Sequence, residues 1–168
     1  MHKTNSVVLG LGTNLGSKAQ NLAQALKIIS GFCKVVSVSS VYKTRSLLKD
    51  SQDDYFNLCA RIETDFSETQ LLQAIKNIEK VMGRTNTGRW YTRIIDIDII
   101  DFNNHVFQSD QLSIPHAEME NRSFVLFPLQ EIYPDYKHPI HCRTIDDMVN
   151  LIKDNLGITK LGVCTWLL

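Results

Sequence analysis

The chain has 168 residues, and its 18 lysines and arginines balance its 18 aspartates and glutamates, so the formal net charge is zero. This balance argues against non-specific nucleic-acid binding, which needs excess positive charge, although it allows a locally charged pocket. With 43% apolar residues, the length predicts a single folded domain over residues 1–168. No apolar run approaches the roughly 20 residues that cross a bilayer, so we expect no membrane partner.

The amino-terminal segment and the cysteines favour a cytoplasmic location. The apolar stretch at residues 7–11 is too short for the core of a secretion signal. No C-x-x-C pair is present, so neither a zinc ribbon nor a thioredoxin-like motif is indicated. We expect reduced, mostly packed thiols at Cys33, Cys59, Cys142 and Cys164.

The predicted elements follow the order β-α-β-β-α-β. Apolar runs and period-two alternation predict strands over residues 6–13, 34–43, 55–64 and 94–102. Two amphipathic helices lie between them, each with a capping-box pattern: Ser17 with Gln20, and Ser67 with Gln70. This order predicts an α+β fold with a ferredoxin-like core, a mainly antiparallel sheet and both helices on one face.

The remainder of the chain is less regular and predicts C-terminal additions to that core. Residues 105–114 indicate an edge hairpin, and residues 123–132 indicate a short helix broken by Pro128. A last helix is expected over residues 144–156, before Gly157.

Two carboxylates lie on one face of the fourth predicted strand. Alternation places Asp96 and Asp98 together, with Cα atoms about 6.5–7 Å apart, while isoleucines fill the opposite face. Such a pair repels itself unless a cation is near, and hard oxygen ligands suit Mg²⁺. A strand with an ordinary solvated face is the alternative for a bare D-x-D.

A basic loop leads directly into this acidic strand. Arg84, Arg89 and Arg93 can grip phosphates by forked hydrogen bonds, and Trp90 can pack against a ring. A basic loop beside paired carboxylates is the arrangement that phosphoryl transfer needs, although a plain solvated loop is the alternative. The chain has no GxxxxGK[ST] motif, which excludes a P-loop.

The segment Arg-Trp-x-x-Arg-x-x-Asp-x-Asp-Ile-Ile at residues 89–100 resembles the signature of the 6-hydroxymethyl-7,8-dihydropterin pyrophosphokinase family. Other segments match that family in order, over residues 8 to about 135. They are Gly10-Leu-Gly-Thr-Asn14-Leu-Gly, Ser40-Val-Tyr42-Lys-Thr44, Asp54-Tyr55-Phe-Asn57, Leu112-Ser113-Ile-Pro115-His116 and Asn121-Arg122-Ser-Phe124.

The resemblance implies a reaction of folate biosynthesis: the pyrophosphoryl group of ATP passes to the pterin hydroxymethyl group and AMP leaves. It implies two Mg²⁺ ions on Asp96 and Asp98, with Arg84 and Arg93 stabilising the transferring group. The partners implied are ATP and the pterin, without nucleic acid. The family favours a monomer, while a free sheet edge would allow a dimer.

The same resemblance assigns the substrate contacts. The implied pterin-binding residues are Thr44, Leu47, Tyr55, Asn57 and Phe124. The implied ATP-binding residues are Glu79, Arg89, Trp90, Ile99, Ser113, His116 and Arg122. Without the resemblance, the alternative interpretation of Phe124 is a core residue, and that of His116 is a capped histidine at the surface.

Some positions depart from the family pattern. Tyr91-Thr92 stands where the family usually has Gly-Pro, and Thr44-Arg45-Ser46 stands where it usually has Thr-x-Pro. These loops leave two rivals open: a non-catalytic pterin- or nucleotide-binding module on the same scaffold, and another Mg-dependent nucleotidyl transferase.

Overall fold

The structure is a computed structural model, and it describes residues 4–46, 53–83, 93–154 and 156–163. The strands are β1 (Asn5–Thr13), β2 (Lys34–Val38), β3 (Val41–Thr44), β4 (Tyr55–Thr64), β5 (Asp96–Phe102), β6 (Phe107–Gln108), β7 (Ser113–Ile114) and β8 (Thr159–Gly162). The helices are α1 (Lys18–Ile29), α2 (Glu68–Val81), α3 (Ser123–Ile132) and α4 (Ile145–Leu151), with a 3₁₀ turn at Met119–Asn121.

The main sheet has the strand order β5-β1-β4-β3-β8, and β2 also pairs with β4. Every pairing is antiparallel. Strand β1 lies between β4 and β5, so each of its residues has a neighbouring strand on both sides. The order of β5, β1, β4 and β3 is that of a ferredoxin-like split unit, which confirms the predicted α+β class.

Apolar side chains cover both faces of the sheet. On one face, Leu22 and Leu26 of α1 and Leu71 and Ile75 of α2 pack on the odd-numbered residues of β1. This face also buries the isoleucines expected opposite the acidic pair: Ile95, Ile97 and Ile99. On the other face, residues of α3 and α4 form a second cluster with Val8, Cys59 and Ile100. The acidic pair therefore lies on the side of α3.

The strand predicted over residues 34–43 is two strands, β2 and β3. Two serines separate them because their side chains take over backbone hydrogen bonds. The Ser39 hydroxyl accepts from the Cys59 N–H at 3.0 Å, and the N–H and hydroxyl of Ser40 both donate to Glu131. A single straight strand would lose these contacts.

The two predicted capping boxes have different outcomes. At Ser67 the box is complete: its hydroxyl accepts from the Gln70 N–H, and the Gln70 side chain accepts from the Ser67 N–H. At Ser17 the prediction of a box is wrong, because the side chain makes no capping bond. The preceding Gly16 has φ +64° and Ser17 has ψ 81°, so the chain does not enter α1 in the extended conformation that a box requires.

The C-terminal part differs from its prediction in three ways. Helix α3 is continuous through Pro128, which is buried. Helix α4 ends at Leu151, because Ile152 is extended and the chain turns back towards the sheet. The turn allows an unpredicted strand, β8, to pair with β3.

The predicted hairpin is present as β6 and β7. Within the described residues, no helix combines the length and apolar character needed to span a membrane.

Candidate active site

The acidic pair lies directly beside two glycines. In the β1–β5 ladder, Asp98 pairs with Gly10 and Asp96 pairs with Gly12. Because these two residues lack side chains, Ile100 lies against the strand at Gly10 and the Asn57 amide lies against it at Gly12. Beyond the pair, the ladder shifts register between Val8 and Leu9. This irregularity puts Ile100 and Asp101 towards the same face, where the Tyr136 hydroxyl donates to Asp101.

Basic side chains surround the acidic pair. The Arg93 guanidinium lies 2.9 Å from Asp96, and Asp98 has His116 at 3.8 Å and Arg122 at 3.9 Å. Loss of hydration raises the pKa of Asp98, and the charge of Asp96 raises it further. Loss of hydration also lowers the pKa of His116, against the opposing effect of Asp98. The neighbouring basic groups therefore compensate the negative charge of this partly buried pair only in part.

An amide and a hydroxyl mark the other end of the same surface. Asn57 is buried on β4, and its Nδ2 donates to Thr44 Oγ1 at 3.0 Å. This bond fixes the amide plane and leaves Oδ1 facing β1. There a Cβ on Gly12 would stand 2.9 Å from that Oδ1, so only glycine leaves the amide in place. A fixed amide with both donor and acceptor groups suits an amide-like ring edge.

One cavity of about 210 Å³ joins these two ends. It brings together eight of the residues singled out by the family resemblance: Thr44, Tyr55, Asn57, Arg93, Asp96, Asp98, Arg122 and Phe124. The cavity therefore presents aromatic and amide groups at one place and carboxylates with guanidinium groups at another. Such a lining suits a flat polar heterocycle that carries a reacting group towards phosphates.

Other predicted residues lie elsewhere. Ile99 is buried in the core on the opposite face, and Glu79 of α2 accepts the Ile97 N–H at 2.9 Å from that same side. Ser113 donates to the carbonyl of Pro115, and His116 meets the site through Asp98. The predictions for Leu47, Arg84, Arg89 and Trp90 fall outside the described residues.

The cavity also includes residues that the sequence patterns did not single out. Arg45 and Ser46 follow Thr44 directly, so their position beside a predicted binding residue was an available signal. Leu156 had no such signal, because it reaches the cavity only after the chain turns back beyond α4. Asn14 supports the site from behind, since its Oδ1 accepts the Arg93 N–H at 2.8 Å.

A second group of metal-binding side chains lies away from the cavity. One ligand atom from each of Glu120, His138 and His141 lies within 4.8 Å of the others. The two imidazole rings are stacked, however, with an angle of 6° between their planes. Parallel stacked rings cannot both point their nitrogens at one ion. In addition, His138 Nδ1 accepts the N–H groups of Ile140 and His141. This cluster is therefore explained by its internal hydrogen bonds.

The acidic pair on β5, in contrast, has donor chemistry that fits a hard divalent cation. Asp96 and Asp98 offer carboxylate oxygens from one face of β5, and both line the cavity. The raised pKa of Asp98 indicates negative charge that its protein neighbours do not fully compensate. Oxygen ligands of this kind suit Mg²⁺, with water and substrate phosphates as further ligands.

The fold is similar to that of part of a longer solved protein, HPPK-DHPS of Plasmodium falciparum. The crystal structure of wild-type Plasmodium falciparum HPPK-DHPS with pteroate superposes with a TM-score of 0.72 at 20% identity. The match covers 88% of this chain and 44% of the Plasmodium chain, so this chain spans less than half of that protein. At this identity the likeness concerns the fold alone.

Curated relatives are considerably more similar in sequence. The chain is 38% identical over 149 residues to the 2-amino-4-hydroxy-6-hydroxymethyldihydropteridine pyrophosphokinase of Haemophilus influenzae, covering 88% of this chain and 92% of the relative. It is 40% identical over 152 residues to the folic acid synthesis protein FOL1 of Dictyostelium discoideum, covering 90% of this chain but only 22% of that longer protein.

A sequence model for one family spans the residues that build the cavity on β1, β3, β4, β5 and α3. The match covers residues 8–134, and it includes every predicted site residue. This chain therefore belongs to the 7,8-dihydro-6-hydroxymethylpterin-pyrophosphokinase family.

Proposed function

We propose that this chain transfers the terminal pyrophosphoryl group of ATP to the hydroxymethyl oxygen of 6-hydroxymethyl-7,8-dihydropterin, in folate biosynthesis. The proposal extends to residues 1–168 as one catalytic domain. The observation that carries it is the single cavity in which the amide of Asn57 and the carboxylates of Asp96 and Asp98 meet. Family membership and the printed names of the relatives support the same reaction.

The pterin would bind at the end of the cavity formed by β3 and β4. Asn57, held by Thr44, supplies a donor and an acceptor for the amide-like edge of the ring. Tyr55 and Phe124 line the same cavity and offer aromatic surfaces to the faces of the ring. This placement directs the hydroxymethyl group towards the carboxylate end. Leu47, which is outside the described residues, stays part of this proposal.

The phosphates of ATP would lie against the basic groups around the acidic pair. Arg93 and Arg122 line the cavity, and His116 lies within 3.8 Å of Asp98. The charges of the two guanidinium groups favour the extra negative charge that develops on the transferring group. We place Arg84, Arg89 and Trp90 of the preceding loop, together with Glu79, Ile99 and Ser113, in the same ATP-binding set.

Asp96 and Asp98 would hold two Mg²⁺ ions. When bound, Mg²⁺ would neutralise phosphate charge and lower the pKa of the pterin hydroxyl. The hydroxyl oxygen then forms a bond to the β-phosphorus of ATP. The bond from that phosphorus to the oxygen of the α-phosphate breaks, AMP leaves, and the hydroxyl proton passes to water. Arg93, anchored on Asp96, stabilises the charge as it moves.

The test is a direct assay of the products. The protein is mixed with ATP, the dihydropterin and Mg²⁺, and AMP and pterin diphosphate are measured together by chromatography. We expect both products in equal amounts, and none when Mg²⁺ is replaced by a chelator. Absence of AMP from folded protein would overturn the catalytic proposal. Release of inorganic pyrophosphate instead would indicate a nucleotidyl transferase.

A further inference from the structure

The side chain of Arg45 rests on a glycine beyond the residues that match the family. A Cβ built on Gly157 would stand 3.1 Å from Nη2 and 3.2 Å from Nε of Arg45, so the bare glycine makes room for the guanidinium group. The φ of Gly157 is +61°, which also favours glycine. The backbone is held too, because the Arg45 N–H donates to the carbonyl of Leu156 at 2.9 Å.

Strand β8 holds this C-terminal segment against the sheet. Lys160 pairs with Tyr42 in the β3–β8 ladder, and its Nζ lies 3.3 Å from Glu131 on α3. Glu131 also accepts from the Tyr42 hydroxyl at 2.8 Å and from Ser40. The position of Gly157 is therefore determined by contacts with two elements that also border the substrate cavity.

Arg45 differs in its charge environment from the other arginines of the cavity. Arg93 and Arg122 each face an aspartate, whereas no acidic side chain of the described residues pairs with Arg45. Arg45 lines the cavity together with Thr44 and Leu156, at the end where the pterin would bind. Its planar guanidinium offers five donors in a fixed fork and stacks well on aromatic rings.

The geometry points to Arg45 as a further binding residue for the pterin ring, positioned by the C-terminal segment through Gly157. This inference rests on the proposed function, because it takes the pterin as the occupant of the cavity. The carbonyl oxygen and those ring nitrogens of a pterin that carry no hydrogen are acceptors, and its ring system is flat. A guanidinium beside Thr44 can donate to such acceptors or stack on the ring without competing for an internal carboxylate.

The experiment measures binding rather than turnover. The fluorescence of 6-hydroxymethylpterin, an oxidised form of the proposed substrate, reports its Kd, and a non-hydrolysable ATP analogue is titrated separately. We expect Arg45→Ala to weaken pterin binding about tenfold, the scale of one hydrogen bond from a charged donor, and to leave the affinity for the ATP analogue unchanged. Lys34→Ala, which removes an exposed cation of β2, serves as the control and should change neither affinity.

A matched pair of glycine variants tests the role of the C-terminal segment. Gly157→Ala places a Cβ against the guanidinium, whereas Gly162→Ala adds one at φ +113° with no atom within 4 Å. Both substitutions strain the backbone, but only the first should weaken pterin binding. In the double variant Arg45→Ala/Gly157→Ala, the losses should not add, because the glycine acts through the arginine.

The outcomes separate the two proposals. If the unmodified protein binds no pterin at all, the proposed function is overturned. If it binds pterin, and folded Arg45→Ala binds it equally well, only the role of Arg45 is overturned. A parallel loss of affinity for the ATP analogue would also contradict that role, because it would assign Arg45 to the phosphates. If Gly157→Ala does not fold, the Arg45→Ala result alone decides.

Discussion

Asn14 and Arg93 hold each other by two hydrogen bonds where β1 ends and the chain approaches β5. The Arg93 N–H donates to Asn14 Oδ1 at 2.8 Å, and the Asn14 N–H donates to the Arg93 carbonyl at 3.2 Å. Asn14 is buried, so these bonds are protected from water. They fix the backbone from which the Arg93 side chain reaches Asp96. Asn14 is thus a positioning residue for a proposed catalytic arginine.

The opposite end of the same strand pair is closed in the same way. There the Ser6 N–H donates to Asn103 Oδ1 at 2.9 Å, and the Asn103 N–H donates to the Ser6 carbonyl at 2.8 Å. Asn103 lies at the end of the ladder away from Asp96 and Asp98. The chain therefore contains its own control for the Asn14 contact.

We predict that Asn14→Ala and Asn103→Ala both lower the free energy of unfolding by about 1–3 kcal/mol, since each leaves a backbone N–H without its acceptor. Only Asn14→Ala should also lower kcat, measured as AMP formation per folded molecule. Its KM for the pterin should stay near that of the unmodified protein, because the Asn14 side chain bonds to the Arg93 backbone whereas the Asn57 amide is held by Thr44. Equal kcat values for the two variants would show that Asn14 has only a structural role.

Asp98→Asn should stabilise the protein while removing its activity. The change eliminates a carboxylate whose pKa is raised by lost hydration and by Asp96. We expect the free energy of unfolding without Mg²⁺ to rise by at most about 1 kcal/mol, because the Asp98 side chain is 40% exposed and water screens part of the repulsion. AMP formation should fall about a hundredfold or more, the scale on which losing one transition-state contact acts.

Asp101→Asn is the matched control for Asp98→Asn, since both residues are on β5. Asp101 accepts the Asn104 N–H and the Tyr136 hydroxyl through its two oxygens. Asparagine keeps only one acceptor oxygen, so the bond to the Tyr136 hydroxyl must reverse its direction or be lost. Burial raises the pKa of Asp101 as well, so the two variants differ in these hydrogen bonds, and weakening one of them should leave Asp101→Asn less stable than Asp98→Asn by about 1–3 kcal/mol. If thermal denaturation shows that Asp98→Asn is destabilised as much as Asp101→Asn, the negative charge of Asp98 does not destabilise the folded protein, and our interpretation is wrong.

Gly12→Ala should weaken pterin binding without preventing folding. The new Cβ would lie 2.9 Å from Asn57 Oδ1, so the amide must leave the position that Thr44 gives it. On the same strand, a Cβ on Gly10 would meet only the Ile100 Cδ1 and Cγ1 atoms, at 3.2 and 3.3 Å, and that flexible side chain can shift. Titration with 6-hydroxymethylpterin should give about a tenfold larger Kd for Gly12→Ala than for Gly10→Ala.

The buried His138 should make stability depend on pH. Loss of hydration lowers its pKa, the charges of His141 and Arg143 act in the same direction, and Glu120 opposes them. The folded chain thus disfavours the protonated ring, and the unfolded chain binds more protons as the pH falls below about 6.5. The stabilisation from neutral His138 is complete above that pH and is lost on acidification.

His138→Asn checks this prediction, because the Asn oxygen can still accept the N–H groups that His138 Nδ1 accepts, yet the amide does not titrate. Thermal denaturation of both proteins between pH 8 and pH 5 gives the difference in melting temperature at each pH. The unmodified protein should lose stability relative to the variant as the pH falls. A difference that is constant with pH would contradict the proposed lowering of the pKa.

Local patterns in the sequence were sufficient for the core of the fold. The alternation in β5 correctly put Asp96 and Asp98 on one face and the isoleucines on the other, because period-two geometry is a property of the strand itself. The capping box at Ser67 was also correct, since its partners are three residues apart. The same pattern failed at Ser17, where the backbone of Gly16 sets the entry angle of the helix.

The composition of the cavity depended on contacts between distant parts of the chain. Ser39 and Ser40 ended a strand because Glu131, some ninety residues later, accepts from Ser40. Leu156 reached the cavity because Ile152 is extended and the chain turns back, which no local apolar period reveals. The sequence showed that an arginine follows Thr44, but it did not show that the Arg45 guanidinium packs against Gly157.

The order of residues along the chain determined that three arginines at positions 84, 89 and 93 precede an acidic strand, and the alternation of β5 put Asp96 and Asp98 on one face. The tertiary structure decided which groups meet those charges. Packing of α3 and α4 on the second face of the sheet, together with the pairing of β8 with β3, brings Asn57, Arg122 and Leu156 to one cavity. Each face of the sheet is covered by elements that are far apart in the chain. Contacts between these elements therefore exist only in the folded structure and cannot be deduced from local patterns.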